Sequence, residues 1–368
     1  VVDGGSCAPE YNRQGEIKFE VLLESFRQMK YDAISIGERE ILMDRDTYNV
    51  CEKLKATGIP IVTLNIAYRG ERLRDKPLII RRGGVRVGVF SLLLSSNIPQ
   101  SAKQDWTIKD PEKIINAALR YTRKKADFVI AMLQGDLPQV RAFVRKHQGM
   151  DIVIVSYSRT SLMKPEKING SLLIATMNQG EYLGRVDASL KDNTWEFEPS
   201  MIALDKSVPS DPAMTKIYTQ YQERVAQLAE EITKKQEAES AVQSPPVLQA
   251  TDCRSCHTDI YDAWAKTPHA HAIESLAKKN EQQNPECIGC HTTYYLKGGF
   301  VSLEKTPEYA GVQCAQCHGR MEGHIELHSG ASQIADAPPS VKKDICLQCH
   351  TPERDHDFNF ERDKKKIH

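Results

Sequence analysis

The residues able to do chemistry in this sequence are gathered near its end. Eight of its ten cysteines fall in Cys253-Arg-Ser-Cys256-His257, Cys287-Ile-Gly-Cys290-His291, Cys314-Ala-Gln-Cys317-His318 and Cys346-Leu-Gln-Cys349-His350. The spacing has a chemical reason. On one helical turn two thiols three residues apart can each form a thioether with a haem vinyl group, and the adjacent imidazole swings under the iron as its proximal ligand. Zinc held by thiolates gives no reason for a His after every second Cys, and a dithiol redox site needs one such pair, not four. The sequence therefore predicts four covalently bound haem c groups.

His269, His271, His324, His328, His356 and His368 remain for the distal faces. Two imidazoles make iron six-coordinate and suit it to passing single electrons; a missing one leaves room for a small molecule. Each of these six can equally hydrogen-bond a haem propionate or face solvent. Trp264, Tyr261, Tyr294, Tyr295 and Phe300 suit packing on porphyrin or ordinary core packing. About 118 residues with few apolar runs make a thin core, so haem must be both staple and core, and haem-free protein is expected to be largely unfolded.

Of eleven histidines only His147 precedes Cys253, which separates a His-poor region from a haem-rich one. His147, alone on a helical pattern, is expected at the surface. Lys and Arg number 49, as do Asp and Glu, so no basic excess points to nucleic acid or a membrane surface. No apolar run approaches a transmembrane span. Haem is attached to such motifs outside the cytoplasm, which predicts a periplasmic or extracellular protein. No export signal stands at Val1, so the sequence reads as mature or incomplete. Cys7 and Cys51 are left to form a disulfide or to remain two buried thiols.

The elements that must carry these residues divide into three stretches. Residues 1–205 alternate apolar strand-like runs with amphipathic helical patterns, an α/β signature. Expected elements are a helix from Ile17 to Met29, a strand Ala33 to Ile36, a helix Asp46 to Ala56, a strand Ile59 to Ile66 and a hairpin turned at Gly83-Gly84. A helix opened by Pro111 follows, then central strands Phe128 to Leu133 and Ile152 to Val155 around a helix from Pro138 to His147. Leu172 to Ala175, Tyr182 to Leu190 and Trp195 to Ile202 look antiparallel, so a sandwich of mixed sheets flanked by helices is expected. In residues 206–250, Ser210-Asp211-Pro212 starts a helix running to about Lys235, with an apolar stripe through Met214, Ile217, Tyr218, Tyr221, Val225, Leu228 and Ile232. Glu237 to Gln249, with Pro245-Pro246, reads as an extended linker. Residues 251–368 are the haem module, mainly α and loop-rich, and Lys364-Lys-Lys366 reads as a solvated tail.

Two resemblances follow from these residues. Tyr31-Asp-Ala-Ile-Ser-Ile-Gly-Glu-Arg-Glu40, Ile61-Val-Thr-Leu-Asn65, Leu133-Gln-Gly135 and Ser156-Tyr-Ser-Arg159 stand in the order of the motifs of calcineurin-like metallophosphoesterases of the 5′-nucleotidase branch. The likeness implies that fold for residues 1–205, but Ser6, Glu38-Arg39 and Ser156 to Arg159 replace the Asp, Asn-His and Gly-His-x-His ligands of a two-metal hydrolytic site. A catalytically silent scaffold is expected. The haem module, through Cys253-x-x-Cys-His-x-x-Ile-Tyr-x-x-Trp264, Thr267-Pro-His269-Ala, Gly311-Val-Gln-Cys-x-x-Cys-His-Gly319 with His324, and the closing Ile367-His368, resembles the tetrahaem cytochrome c-554 family. That resemblance implies electron transfer through stacked haems, redox partner proteins, and His269, His324 and His368 as the best distal ligands. It leaves open a five-coordinate haem acting on a nitrogen or sulfur compound, and a subunit of a larger redox complex or extracellular filament.

Overall fold

The structure is a computed structural model and describes residues 1–94, 98–99, 105–156, 164–175, 180–239, 247–321, 324, 341–352, 354–355 and 357–367. The chain divides into two compact units, Val1–Tyr218 and Thr219–His368.

The first unit is α/β. Its helices are α1 (Arg13–Gln28), α2 (Glu38–Met43), α3 (Val50–Ala56), α4 (Glu112–Lys125) and α5 (Leu137–Lys146). Its strands are β1 (Ile66–Tyr68), β2 (Glu71–Arg72), β3 (Leu78–Arg82), β4 (Val85–Leu93), β5 (Trp106–Ile108), β6 (Phe128–Gln134), β7 (Ile152–Ser156), β8 (Glu166–Ile168), β9 (Ser171–Ala175), β10 (Tyr182–Lys191) and β11 (Thr194–Ala203). A six-stranded sheet runs in the order β3-β4-β6-β7-β9-β8. Its central strands β4, β6, β7 and β9 are parallel, and β3 and β8 close the edges antiparallel. Single parallel bridges extend the pairing from Ser91 to Thr63, from Ile61 to Ile34 and from Ala33 to Val2.

Both faces of the central strands are apolar because both are covered. Ile115, Leu119, Val140, Phe143 and Val144 of α4 and α5 close on Val129, Ala131, Leu133, Val153 and Leu173. Ala33, Val62, Val89 and Met132 form a core on the opposite parity of β4 and β6. β10 and β11 form a separate ribbon whose Trp195 and Phe197 each lie 5.2 Å from the Phe128 ring. Gly83 and Gly84 have positive φ, as the expected two-residue hairpin turn requires.

Five expectations are corrected. β9 pairs parallel to β7, not antiparallel, because the short β8 precedes it and takes the edge through the turn Asn169-Gly170. Ala33 to Ile36 makes bridges rather than a strand, and the helix expected from Asp46 begins at Val50, where Asn49 accepts from the Glu52 N–H. His147 is 8% exposed, with its ring 4.6 Å from Phe143 and its Nε2 2.9 Å from Glu112; closing α5 turns it inward. The helix α6 (Pro212–Glu239) outruns the expected linker start, since Lys, Gln, Glu and Ala there are good helix formers. Asp211 caps α6, accepting from the Ala213 and Met214 N–H groups. Pro245-Pro246 and most of the linker lie outside the described residues.

The second unit begins inside α6, where Tyr221, Val225 and Leu228 are buried. After α6 its described helices are short: α7 (Ala250–Arg254), α8 (Thr258–Trp264), α9 (Ala272–Ala277), α10 (Pro285–His291), α11 (Cys314–His318), α12 (Lys343–Cys346) and α13 (Phe360–Asp363), followed by a 3-10 turn at Lys364–Lys366. Among the described residues no helix is long and apolar enough to cross a membrane.

Candidate functional site

Each Cys-x-x-Cys-His sequence folds as a helical turn. The His257 and His350 N–H groups donate to the carbonyls of Cys253 and Cys346 at 2.9 Å, which sets both thiols and the imidazole on one turn. Local sequence fixes the ends of the other two. Asn284 caps α10 ahead of Pro285, and Gly319, with φ of 84°, ends α11.

The four turns come together in twos. The α7 turn of motif one packs against the α11 turn of motif three, and Cys290 of motif two donates its thiol to the Gln348 carbonyl of motif four at 3.9 Å, so motif one meets motif three and motif two meets motif four. Burial pushes the Cys317 thiol up to about 11.

Histidines meet across the motifs. The rings of His257 and His324 are 6.3 Å apart between centroids and within 19° of parallel. Those of His269 and His350 are 5.9 Å apart at 68°. Two imidazoles sharing a metal about 2 Å from each nitrogen have ring centroids about 6 Å apart, so both pairs fit a shared iron. Burial, with His350 adding to it, holds His269 below the usual imidazole range and hence neutral, the form that offers a lone pair.

The positioning of His269 is built by its neighbours. Trp264 donates its indole N–H to the Val312 carbonyl at 2.9 Å, and the Val312 N–H donates to the His269 carbonyl at 2.8 Å. Gly311 has φ of +77°, and a Cβ there would overlap the Ala270 carbonyl, so only glycine lets these segments meet. Phe300 is fully buried and Tyr295 lies 6.4 Å from it between ring centroids. Two proximal rings are oriented through their other nitrogen. His291 Nδ1 lies 2.8 Å from the Ala272 carbonyl, and His350 Nδ1 2.7 Å from Asp355, leaving each Nε2 for a metal. These partners were missed from sequence, because nothing local marks Asp355 or Ala272 as belonging to a given ring.

The remaining candidates divide. His271 is taken up by Glu274 at 2.7 Å and the Ala265 carbonyl at 3.0 Å. His328, His356 and His368 lie outside the described residues.

In the first unit, the segments that the resemblance aligns with metal-ligand motifs are bound to one another. Glu40 is fully buried and its carboxylate accepts from four backbone N–H groups, those of Ser6, Cys7, Ala8 and Gly37, each at 2.8 Å. Gln134 donates to the Ile36 carbonyl at 3.0 Å and accepts from the Ser6 hydroxyl at 3.2 Å. A Cβ on Gly37 would overlap the Gln134 side chain, so the space is filled. Glu40 escaped the sequence reading, although Gly37-x-x-Glu40 is a capping-box spacing. Tyr157 to Arg159 lie outside the described residues. Cys7 and Cys51 stand as separate thiols, and burial pushes Cys51 up to about 11. Burial likewise raises the Asp3 carboxyl to about 6, with the Glu40 charge adding to the rise.

Helical Cys-x-x-Cys-His turns with imidazoles paired at metal-sharing distance are the constellation of a c-type cytochrome. Residues 252–319 match the family described as Cytochrome c554 and c-prime. Cytochrome c-554 of Nitrosomonas europaea is 31% identical over 127 residues, covering 30% of this chain and 52% of the relative. The chain thus spans about half the length of that curated relative. For the N-terminal region the neighbours are of another kind. Sulfate thiohydrolase SoxB of Thermus thermophilus aligns with a TM-score of 0.52 and 17% identity over 61% of this chain and 42% of its own. A 5′-nucleotidase precursor from the same species aligns with a TM-score of 0.52 and 15% identity over 61% and 49%. The first unit therefore has the 5′-nucleotidase-like fold, and at these identities the likeness is of fold alone.

Proposed function

We propose that this chain is an exported tetrahaem cytochrome that relays electrons to and from redox partner proteins, with a phosphoesterase-like domain that no longer hydrolyses. In this reading residues 1–205 are the silent domain, 206–250 the joint and 251–368 the haem domain. The observation that carries it is the meeting of His257 with His324 and of His269 with His350 at the spacing of a shared iron.

The residues divide the work as follows. Cys253 and Cys256, Cys287 and Cys290, Cys314 and Cys317, and Cys346 and Cys349 hold one haem each as thioethers, and His257, His291, His318 and His350 are the proximal ligands. His324 completes the first motif and His269 the fourth; His368 is the distal ligand carried over from the family likeness. Haem held in this way supplies one-electron chemistry at iron. His350, oriented by Asp355, and His291, oriented by the Ala272 carbonyl, would hold their place at the iron as charge comes and goes. The contacts of motif one with three and of two with four support short distances between haems.

Ser6, Gln134 and Ser156 stand where hydrolysis needs charged or imidazole ligands, and Glu40 spends its charge on four amides. No phosphatase turnover is expected with manganese or zinc; measurable turnover would overturn that part.

A second reading is favoured by His271, whose engagement with Glu274 and the Ala265 carbonyl keeps it out of the imidazole pairs. One haem would then be five-coordinate and open to a small nitrogen or sulfur compound. Electron paramagnetic resonance of the oxidised protein separates the two. Four low-spin ferric haems support pure relay, and one high-spin haem supports the open site.

A further inference from the structure

We propose that the outer edge of β10 is a pairing surface for a second copy of this chain, joined antiparallel about Val186. The ribbon turns at Asp192-Asn193, both at positive φ, with Lys191 opposite Thr194. In such a two-residue hairpin the flanking residues form a hydrogen-bonded pair, and such pairs then alternate along the ladder. The Leu204 N–H donates to the Glu181 carbonyl at 2.7 Å, which keeps the same parity at the far end. Odd-numbered residues of β10 therefore bond to β11, and Tyr182, Gly184, Val186, Ala188 and Leu190 turn their N–H and C=O groups outward.

The two edges of the ribbon differ. On β11 the outward position opposite Val186 is Pro199, which has no N–H and interrupts any further ladder. β10 carries no proline, and among the described residues no strand pairs with its outer edge. An unguarded edge of ten residues is a template for another strand.

Charge and shape select the occupant. With Val186 opposite Val186 of the partner subunit, Arg185 faces Asp187 of the partner subunit, and the reverse pair follows by symmetry. Within one strand, Arg185 already donates to Asp187 at 2.8 and 3.0 Å, so the dimer closes a square of alternating charge. Neighbouring registers fail: centring on Arg185 or Asp187 opposes like charges, and centring on Ala188 sets Arg185 against a lysine. The chosen register also sets Leu190, 55% exposed here, opposite Tyr182 of the partner subunit. The five outward residues of each strand would form five hydrogen-bonded pairs, about ten main-chain hydrogen bonds in all.

The test is sedimentation velocity of the haem-loaded full chain from about 1 to 100 µM, where a self-association shows as concentration dependence. Wild type should form a dimer. V186P should be monomeric throughout with unchanged circular dichroism and haem absorbance, because Val186 makes no ladder bond to β11. R185D should weaken the dimer at least about tenfold, and R185D/D187R should restore it. A monomeric wild type, or a dimer that V186P and R185D leave unchanged, would overturn the proposal. If V186P fails to fold, the charge reversal and its rescue still decide.

Discussion

Removing the Glu40 carboxylate tests whether its four amide contacts hold the first unit together. Its two oxygens divide four amides: one takes Cys7 and Ala8, the other Ser6 and Gly37, all at 2.8 Å. A hydrogen bond to a charged acceptor contributes about 1.5–3 kcal/mol, so simple addition would reach roughly 6–12 kcal/mol, as much as a whole domain's stability. The sum overstates the loss, since the four bonds share one acceptor group and Ser6 and Cys7 are only half-buried and can be reached by water. Ala8 and Gly37 are buried, and two orphaned donors cost about 1–3 kcal/mol each. Glu40→Ala should therefore destabilise the protein by about 4 kcal/mol. Glu40→Gln should cost somewhat less, about 3 kcal/mol, because its carbonyl oxygen still serves one pair of amides while its NH2 faces the other. Urea unfolding of the haem-loaded chain, followed by far-ultraviolet circular dichroism, measures both. If either variant stayed within about 0.5 kcal/mol of wild type, the structural role assigned to Glu40 would be wrong.

Other outcomes follow from the same contacts. His324→Ala and His269→Ala should each convert one low-spin ferric haem to high-spin, while leaving the covalent haem count unchanged; a spectrum unaltered by either would refute the distal pairing. Asp3 has a carboxyl raised from 3.8 to about 6, so the folded state holds its proton more tightly than the unfolded state does. That contribution is complete below about pH 4 and is lost as pH rises through about 6. Asp3→Asn should thus be more stable than wild type at pH 7, by about 1–2 kcal/mol allowing for the partial exposure of the site, with the gap closing towards pH 4. Thermal melts across that range check it, and a gap that widened on acidification would reverse the sign. Gly311→Ala should displace the segment beside Ala270 and alter the low-spin signal assigned to His269, whereas Gly170→Ala, with open space around it, should not.

What could be read from sequence was what is local. Cys-x-x-Cys-His is complete within five residues, and β6, β7 and the Gly83-Gly84 hairpin are marked by their own apolar runs and turn residues. Parallel pairing of β9 with β7 depends on which neighbour the sheet already holds, and periodicity along one strand does not carry that. Asn169-Gly170 was the available clue, since such a pair turns a hairpin and so commits β8 to the antiparallel side of β9. His147 was misplaced for a similar reason. Its burial follows from Phe143 on its own helix and Glu112 on another. At the haem site, sequence supplied the ligand types but not their partners, because His257 with His324 and His269 with His350 are brought together by turns at Trp264, Gly311 and Gly319.

The most direct test is to count covalent haem in the haem-loaded protein by intact mass under denaturing conditions, with the pyridine haemochrome of the same sample. The account predicts four haems per chain, retained after unfolding and washing. A mass short of four, or haem released on denaturation, would contradict it.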